Sequence, residues 1–329
     1  MWRSSTKGPW TLAARWVLTA MCTLGSTACA PESARVNPLI GLHEQGQPVF
    51  GLYAPSARSG RDNGNGNDGT SGMKTAAELA SETLAYASSD YVFDGSMEGG
   101  IDERLPAFTE YVSALREGGA SARTHPLVVK TVKISDDPGA AAAGIARQLD
   151  AGVSGIMFVA VESAEELRRG LAAMRFESDG GTRPDRVGSA PAYWGVGEDE
   201  YRAKADLWPL DPEGELINWT IVESLEGLEN VREIAAVPGV GVLWPGAGTL
   251  RRVFSTTGPD GERVLDEEAW ENAIQQVLAA CKEFDVPCGY PAGPDDIEMR
   301  MQQGFSVFVM GWGEDGFATV ERGKELAAR

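Results

Sequence analysis

Histidine is nearly absent from this 329-residue chain, whose two copies are His43 and His125. Cysteine is almost as rare, with four copies, and no set of cysteines and histidines has the spacing of a zinc site. The sequence also has no internal repeat, and no G-x-G-x-x-G fingerprint follows its first predicted strand. These absences argue against zinc modules, repeat architectures and dinucleotide-binding folds. His125 precedes Pro126 at the start of a predicted strand, which makes it a poor catalytic candidate.

Basic residues are scarce relative to acidic ones, with 29 Lys and Arg against 48 Asp and Glu and a formal net charge of −19. Such a surface repels nucleic acids and anionic membranes, so we expect no nucleic-acid partner. The simplest role of the charge is a solvated acidic surface that aids solubility.

Long apolar runs are missing except near the N-terminus. A basic start (Arg3, Lys7 and Arg15) leads into a mostly apolar run at 16–28, which is too short to span a membrane. Ala28-Cys29-Ala30 then matches an A-x-A cleavage pattern. We therefore expect a signal at 1–30 and an exported protein, either periplasmic or secreted.

Two alternatives to a cleaved signal remain open. Cys29 is a candidate first residue of a lipoprotein, which would give the protein a lipid anchor in the membrane. The other alternative is a misplaced start codon, with a cytoplasmic protein that begins near Val36.

Two cysteines remain in the body of the chain. Cys281 lies on a predicted amphipathic helix and Cys288 at the next strand, so both are most simply buried thiols. They could also pair in an oxidising compartment, but their spacing does not decide this.

Short apolar runs alternate with helical patterns along the whole body of the chain. The predicted strands are 48–54, 90–95, 127–133, 155–161, 216–223, 241–245, 287–290 and 305–311. The predicted helices are 73–87, 102–117, 139–150, 163–176, 225–236, 266–284, 295–303 and 318–328. This alternation predicts a (β/α)8 TIM barrel, with a doubly wound open sheet as the alternative.

We expect a single barrel domain over 31–329. A Gly-, Asn- and Asp-rich insert at about 56–72 interrupts it and is predicted to be disordered. The insert follows the first strand and so belongs to the catalytic face of a barrel, either as a lid or as a tolerated surface insertion.

The segment 219–248 is the most informative part of the chain. An apolar strand ends in Glu223, a helix follows, and a second apolar strand runs into the Gly-rich turn Gly246-Ala247-Gly248. Catalytic residues of a parallel barrel come from the C-terminal ends of its strands. Glu223 is therefore a candidate site residue, with an acid at the start of the next helix as the alternative.

The chain resembles the HpcH/HpaI aldolase/citrate lyase family over most of 37–312. The resemblance is carried by Asn37-Pro-Leu with Gln47-Pro-Val-Phe-Gly-Leu, Asp90-Tyr-Val-Phe-Asp-Gly, Pro126-Leu-Val-Val-Lys, Leu149-Asp-Ala-Gly-Val-Ser-Gly-Ile-Met, Val161-Glu-Ser-Ala-Glu-Glu-Leu, and Glu226-Gly-Leu-Glu-Asn with Val237-Pro-Gly-Val. It implies a metal-dependent aldolase or lyase acting on pyruvate or a related 2-keto or hydroxy acid, and an enzyme that forms homo-oligomers.

The resemblance also implies a divalent metal, Mg²⁺ or Mn²⁺, because a cation stabilises the enolate left when a carbon–carbon bond breaks beside a carbonyl. Glu223 corresponds to the family's metal-binding Glu. Gly248 stands where the family has a second ligand, an Asp. Mg²⁺ sites with one or two carboxylates are known, so Glu223 remains the predicted ligand.

The family's catalytic His corresponds to Met97, or to Gly99 with a one-residue shift, and neither accepts a proton. Glu98 and Asp94 lie at the same strand end and are the candidate bases, although Asp94 is equally well explained as a turn former. Lys130 stands where the family has an Arg that binds the substrate carboxylate. Lys130 keeps the charge but not the bidentate geometry.

Other residues complete the predicted site. The small residues Gly246, Ala247 and Gly248 allow backbone N–H groups to approach a substrate carboxylate, as the family uses this turn. Trp244, like Trp312, lies near a strand end and is a candidate wall of an aromatic-accepting pocket. Asp137 precedes Pro138 and is better explained as a helix cap.

Three functions are compatible with this sequence. The first is a divergent carbon–carbon lyase for a small carboxylate substrate. The second is an inactive or repurposed barrel that binds a small carboxylate, since several family positions are altered. The third is another reaction that pairs Glu98 with Glu223 for acid–base chemistry.

Overall fold

The computed structural model describes residues 35–56, 73–258 and 261–329. All of them belong to one unit of dense internal contacts, Ala34–Arg329. The predicted signal, Cys29 and the predicted insert from residue 57 to 72 lie outside the described residues. No described helix is long and apolar enough to cross a membrane.

Eight parallel strands, one in each predicted strand segment, form a ring. They are β1 (Val49–Tyr53), β2 (Val92–Asp94), β3 (Leu127–Lys130), β4 (Gly155–Phe158), β5 (Leu216–Val222), β6 (Val242–Pro245), β7 (Gly289–Pro291) and β8 (Val307–Met310). Consecutive strands pair from β1 to β6, and β7 pairs with β8. The ring closes where β8 pairs with β1 and where a parallel bridge joins Leu243 to Cys288. The predicted (β/α)8 TIM barrel is thereby confirmed, and the open-sheet alternative is wrong.

Helices surround the strands, except that the first helix precedes β1 and adds Leu39 to the interior cluster. They are α1 (Pro38–Glu44), α2 (Ala76–Ala85), α3 (Ile101–Glu117), α4 (Pro138–Asp150), α5 (Ala164–Met174), α6 (Ala190–Trp194), α7 (Glu198–Lys204), α8 (Leu225–Glu229), α9 (Val231–Ala235), α10 (Ala247–Val253), α11 (Glu267–Phe284), α12 (Ile297–Gln303) and α13 (Glu314–Leu326). Short polar side chains start several of them. The Asp137 carboxylate accepts a hydrogen bond from Ala140 N at 3.0 Å, as expected for a cap.

Some elements were not predicted. The α5–β5 connection contains α6, α7 and a two-residue strand, Leu207–Trp208, that pairs with the start of β5. After β6 the chain forms α10 and an antiparallel hairpin, Ser255–Thr257 with Arg263–Leu265. The hairpin lies in a β–α connection and therefore belongs to the face on which barrel enzymes carry their sites.

Alternation along the strands sorts side chains into two cores. Outward residues pack against the helices, and inward ones such as Tyr91, Phe93, Trp219 and Trp244 fill the barrel interior. Gly51 makes room for this filling, because a Cβ there would lie 2.2 Å from the Tyr91 ring. The interior is thus a packed core, and its C-terminal rim is the place where barrel enzymes carry their chemistry.

The two body cysteines form a disulfide. Cys281 on α11 and Cys288, which immediately precedes β7, are joined through their sulfurs, and their Cα atoms lie 5.7 Å apart. This bond lies beside the bridge between Leu243 and Cys288 that closes the barrel. It therefore ties α11 to the seam at which the barrel closes.

Candidate active site

The C-terminal rim of the barrel gathers the predicted site residues. By the alternation that places Phe93 and Val128 in the interior, Lys130 also points inward, at the end of β3. Glu223 lies two residues after Ile221, which points into the interior from β5, so Glu223 also points inward. Gly246 lies two residues after Trp244 of β6 and faces inward for the same reason. Strand alternation and parallel topology together bring these three positions to one opening at the C-terminal end of the barrel, which we call the mouth.

Glu223 is held in a defined position. Its residue is 8 % exposed, and its Oε1 accepts a hydrogen bond from the backbone N–H of Ala160 at 3.0 Å. Ala160 follows β4 with φ of 48°, a conformation that few non-glycine residues adopt. The cap of α8 is Ser224, whose hydroxyl accepts from Gly227 N at 3.0 Å. Glu223 is thus bound by the end of the neighbouring strand, and the helix is capped by another residue.

The turn after β6 packs directly on Glu223. A Cβ added at Gly246 would lie 2.3 Å from the Glu223 Cβ and 2.8 Å from its Oε2. The Gly246 N–H is already bonded to Val222 O at 2.8 Å, so it does not serve an anion. Ala247 and Gly248 open α10, where N–H groups have no acceptor within their own helix. Of the three residues predicted to bind a substrate carboxylate through their N–H groups, Ala247 and Gly248 therefore remain candidates and Gly246 does not.

Gly248 and Trp244 differ in their surroundings. Gly248 is exposed, and a Cβ there would meet no atom within 4 Å. Trp244 is 3 % exposed, lies 5.3 Å from Trp219 between ring centroids and packs over Gly289. Trp244 is consequently part of the packed interior beneath the mouth and does not form an open pocket wall. Trp312 packs edge-on against Phe317.

Lys130 forms an ion pair in the mouth. Its Nζ donates to Glu98 Oε2 at 2.7 Å, and the side chains of Lys130 and Glu98 are 18 % and 44 % exposed. Glu98 belongs to a short 3-10 helix, Ser96–Gly99, that follows β2. The structure thus brings together two predicted site residues that are far apart in the sequence.

Asp94, the other candidate base, has a local role. Its Oδ1 accepts a hydrogen bond from Ser96 N at 2.6 Å, which forms the turn into the 3-10 helix. By strand alternation it points away from the interior, because Phe93 points into it. Of the two positions predicted to correspond to the family's histidine, Met97 is fully buried and Gly99 is exposed. Glu98 is therefore better placed than Asp94 to act as a base in the mouth.

Two residues that the sequence did not single out complete the site. The ring of Tyr53, at the end of β1, packs edge-on against Phe93 with centroids 4.9 Å apart. Burial raises the pKa of the Tyr53 phenol, while the charge of Lys130 lowers it and that of Glu98 raises it. The buried Gln148 of α4 donates to Lys130 O at 2.8 Å and to Met97 Sδ at 3.4 Å. Gln148 therefore joins the end of β3 to the segment that carries Glu98.

The fit of these residues to a divalent metal is limited. Across residues 35–56, 73–258 and 261–329, no group of three or more His, Cys, Asp or Glu side chains is arranged to hold a metal ion. Glu223 offers its second oxygen, Oε2, beside Gly246, and a carboxylate is a suitable hard ligand. A cation here would take one protein carboxylate and complete its coordination with water and substrate oxygens, as Mg²⁺ does elsewhere.

A parallel barrel with a lysine, two glutamates and a tyrosine at its C-terminal mouth has the design of a TIM-barrel enzyme. The family model described as HpcH/HpaI aldolase/citrate lyase matches residues 82–316. This chain belongs to that family.

Individual relatives agree with this assignment. The chain is 27% identical over 257 residues to a hydroxypyruvate/pyruvate aldolase of Paraburkholderia phytofirmans, covering 78% of this chain and 84% of the relative. It is 27% identical over 164 residues to a 2-dehydro-3,6-dideoxy-6-sulfogluconate aldolase of Pseudomonas putida, covering 49% and 58%. The fold matches the crystal structure of an HpcH/HpaI aldolase/citrate lyase family protein from Burkholderia cenocepacia, with a TM-score of 0.61, 22% identity and coverage of 88% and 97%.

Proposed function

We propose that this protein is a carbon–carbon lyase of the aldolase type that acts on a small 2-keto or hydroxy acid. The observation that carries this proposal is the Lys130 ammonium, which points into the mouth and already binds a carboxylate, that of Glu98, at 2.7 Å. A substrate carboxylate can use the same charge. The aldolase names of the relatives support the reaction class.

Glu223 would hold a divalent cation, Mg²⁺ or Mn²⁺, through Oε2. When bound, such an ion supplies positive charge that stabilises an enolate. The Ala160 N–H fixes the Glu223 carboxylate, Gly246 leaves space beside it, and Ala247 and Gly248 begin α10 directly after Gly246. The interior below this site is filled by apolar and aromatic side chains, including Trp244.

Enolate formation is testable without the natural substrate. The measurement is exchange of the pyruvate methyl protons with deuterium, followed by NMR for residues 31–329 with and without Mn²⁺ or Mg²⁺. We expect metal-dependent exchange that Glu223→Gln abolishes, because the amide keeps an acceptor for Ala160 but loses the charge. Absence of exchange with either metal would reject the enolate chemistry.

A barrel that binds a carboxylate without catalysis is the second candidate. It is favoured by the two positions predicted to correspond to the family's histidine, Met97 and Gly99, since neither accepts a proton and Met97 is buried in the core. The exposed Gly248, at the predicted position of the second ligand, favours it too. It predicts that pyruvate binds with calorimetrically measurable affinity, that Lys130→Met removes the binding, and that no exchange occurs.

We also propose that the protein is exported, as a periplasmic, secreted or lipid-anchored form, and that it assembles as a homo-oligomer. The disulfide between Cys281 and Cys288 supports export, because such bonds persist mainly in oxidising compartments. Fractionation of the producing cells, with and without Cys29→Ala, distinguishes an anchored from a soluble form. Light scattering of residues 31–329 measures the oligomeric state.

A further inference from the structure

We propose that the substrate carboxylate displaces Glu98 from Lys130, and that the released Glu98 carboxylate is the base that takes the proton of the substrate hydroxyl. This inference rests on the proposed lyase function. Glu98 would thus have two consecutive roles: its carboxylate occupies Lys130 before the substrate binds, and it accepts a proton afterwards.

The lysine is the fixed partner of the ion pair. Lys130 ends a strand, its side chain is 18 % exposed, and its carbonyl oxygen accepts the Gln148 hydrogen bond at 2.8 Å. Gly95 lies alongside, since a Cβ there would lie 3.6 Å from both Lys130 Cδ and the Tyr53 ring. The ammonium therefore remains in the mouth whichever carboxylate it binds.

The glutamate is the movable partner. Its side chain is 44 % exposed and lies on a 3-10 helix of four residues. Gly99 and Gly100 follow it, and Gly100 has φ of 147°, which glycine adopts without strain. An exposed ion pair of this kind contributes little free energy, so an incoming carboxylate competes with it at small cost.

Charge balance explains why the two roles are linked. While Glu98 binds Lys130, the two side chains form a neutral pair and the Glu98 Oε2 atom is occupied by the ammonium. When the substrate carboxylate binds Lys130, the Glu98 carboxylate is released within the same mouth and has no cation of its own. A carboxylate freed from a cation is a better proton acceptor than a paired one.

The chemical step is then balanced. The O–H proton of the hydroxyl on the leaving carbon moves to a Glu98 oxygen, and that hydroxyl carbon becomes an aldehyde carbonyl. The carbon–carbon bond breaks, and its electron pair remains on the 2-keto acid fragment as an enolate. In the addition direction the same proton returns from Glu98 to the new hydroxyl.

Affinity for a carboxylate that does not react tests the displacement. The probe is oxamate, an isostere of pyruvate that forms no enolate, titrated calorimetrically into residues 31–329. We expect Glu98→Gln to bind oxamate on the order of threefold more tightly, because the competing carboxylate is gone while Lys130 keeps its charge. Lys130→Met should lose the binding. Unchanged or weaker binding by Glu98→Gln would overturn the displacement.

Glu103→Gln is the matched control. Glu103 is exposed at the start of α3, five positions after Glu98, so its change removes the same charge from the neighbouring segment. We expect its oxamate affinity to equal that of the unmodified protein. An equal gain in both variants would show a general charge effect and would reject the competition for Lys130.

Kinetics of a productive substrate test the base. In cleavage of a 4-hydroxy-2-keto acid, Glu98→Gln should lower both KM and kcat, and Glu98→Asp should recover part of kcat. A merely structural role would leave kcat unchanged or raise KM.

If the unmodified protein neither cleaves such acids nor exchanges pyruvate protons, the proposed function fails while the oxamate titration still decides the displacement. If it cleaves them and Glu98→Gln has an unchanged kcat, the function stands and the base assignment fails.

Discussion

Gly246 and Glu223 are packed so closely that a side chain on the first would occupy the place of the second. A Cβ at Gly246 would lie 2.3 Å from the Glu223 Cβ. The φ angle of Gly246 is −73°, which any residue adopts, so the glycine is required by this contact and not by its backbone conformation.

Gly246→Ala should therefore displace the Glu223 carboxylate. We expect a loss of about 1–3 kcal/mol in the free energy of unfolding, as for other overpacked sites, and a loss of metal-dependent pyruvate exchange. Gly248→Ala is the matched control, because it adds the same methyl group two residues later in open space. Chemical denaturation and exchange rates measured for both variants check this. Equal effects of the two substitutions would contradict the role of the contact.

Glu223→Ala and Glu223→Gln should separate the two functions of that side chain. Both remove the charge, so both should abolish metal-dependent exchange. Only Glu223→Ala leaves the Ala160 N–H without its acceptor, which we expect to cost about 1–3 kcal/mol of stability relative to Glu223→Gln. Equal melting temperatures of the two variants would show that the Ala160 hydrogen bond contributes little.

His43 should make the stability of the fold depend on pH. Burial lowers the pKa of His43 to about 4 from 6.5, and its ring stacks on Trp208 with centroids 5.7 Å apart. The unfolded chain binds a proton near pH 6.5, whereas the folded chain does not until about pH 4. The stabilisation is thus complete above pH 6.5 and is lost as the pH falls to about 4.

The expected loss between neutral pH and pH 4.5 is about 2–3 kcal/mol from His43. Urea unfolding of the unmodified protein and of His43→Phe at both pH values measures it, since phenylalanine retains the stacking but binds no proton. Burial also lowers the pKa of His125, so His125→Gln serves as a comparison. A pH dependence that is identical in His43→Phe and in the unmodified protein would refute the assignment.

Strand positions were predictable from sequence because each strand is a short apolar run bounded by turn residues. The short helices α8, α9 and α12 lie within predicted helices, but α6, α7 and α10 were not predicted. Residues 247–253 contain Gly248 and follow a Pro-Gly pair, so the sequence indicates a turn, yet they form α10. Tertiary contacts stabilise it, because Trp270 Nε1 donates to Ala247 O at 2.9 Å and Leu250 is fully buried.

The site was predictable only in part. Glu223 and Lys130 lie at strand ends, where barrel topology places functional side chains. The pairing of Lys130 with Glu98 joins positions 32 residues apart, and no local pattern encodes it. Tyr53 could have been found from alternation, because it follows Val49 and Gly51 on the inward face of β1. The hydrogen bonds of Gln148 depend on how α4 packs and have no signal in the sequence.

The disulfide between Cys281 and Cys288 should stabilise the closing seam of the barrel. It closes a loop with a sequence separation of 7, for which the loss of chain entropy in the unfolded state corresponds to about 2–3 kcal/mol. Reduction of residues 31–329 should lower the free energy of unfolding by that amount and weaken the junction at Leu243 first, because β6 and β7 meet there through a parallel bridge. Urea unfolding with and without a thiol reductant measures the change, and hydrogen exchange of the Leu243 amide reports on the seam.

The double variant Cys281→Ala/Cys288→Ala provides the control. It should match the reduced protein apart from a small packing loss, because both cysteines are 2 % exposed, and it should not respond to the reductant. Two titratable thiols in the unreduced, unfolded protein would contradict the bond itself. The expected loss assumes that the denatured chain is unconstrained around this loop. If the bond forms but reduction leaves the free energy of unfolding unchanged, the reduced, denatured chain must retain structure near residues 281–288.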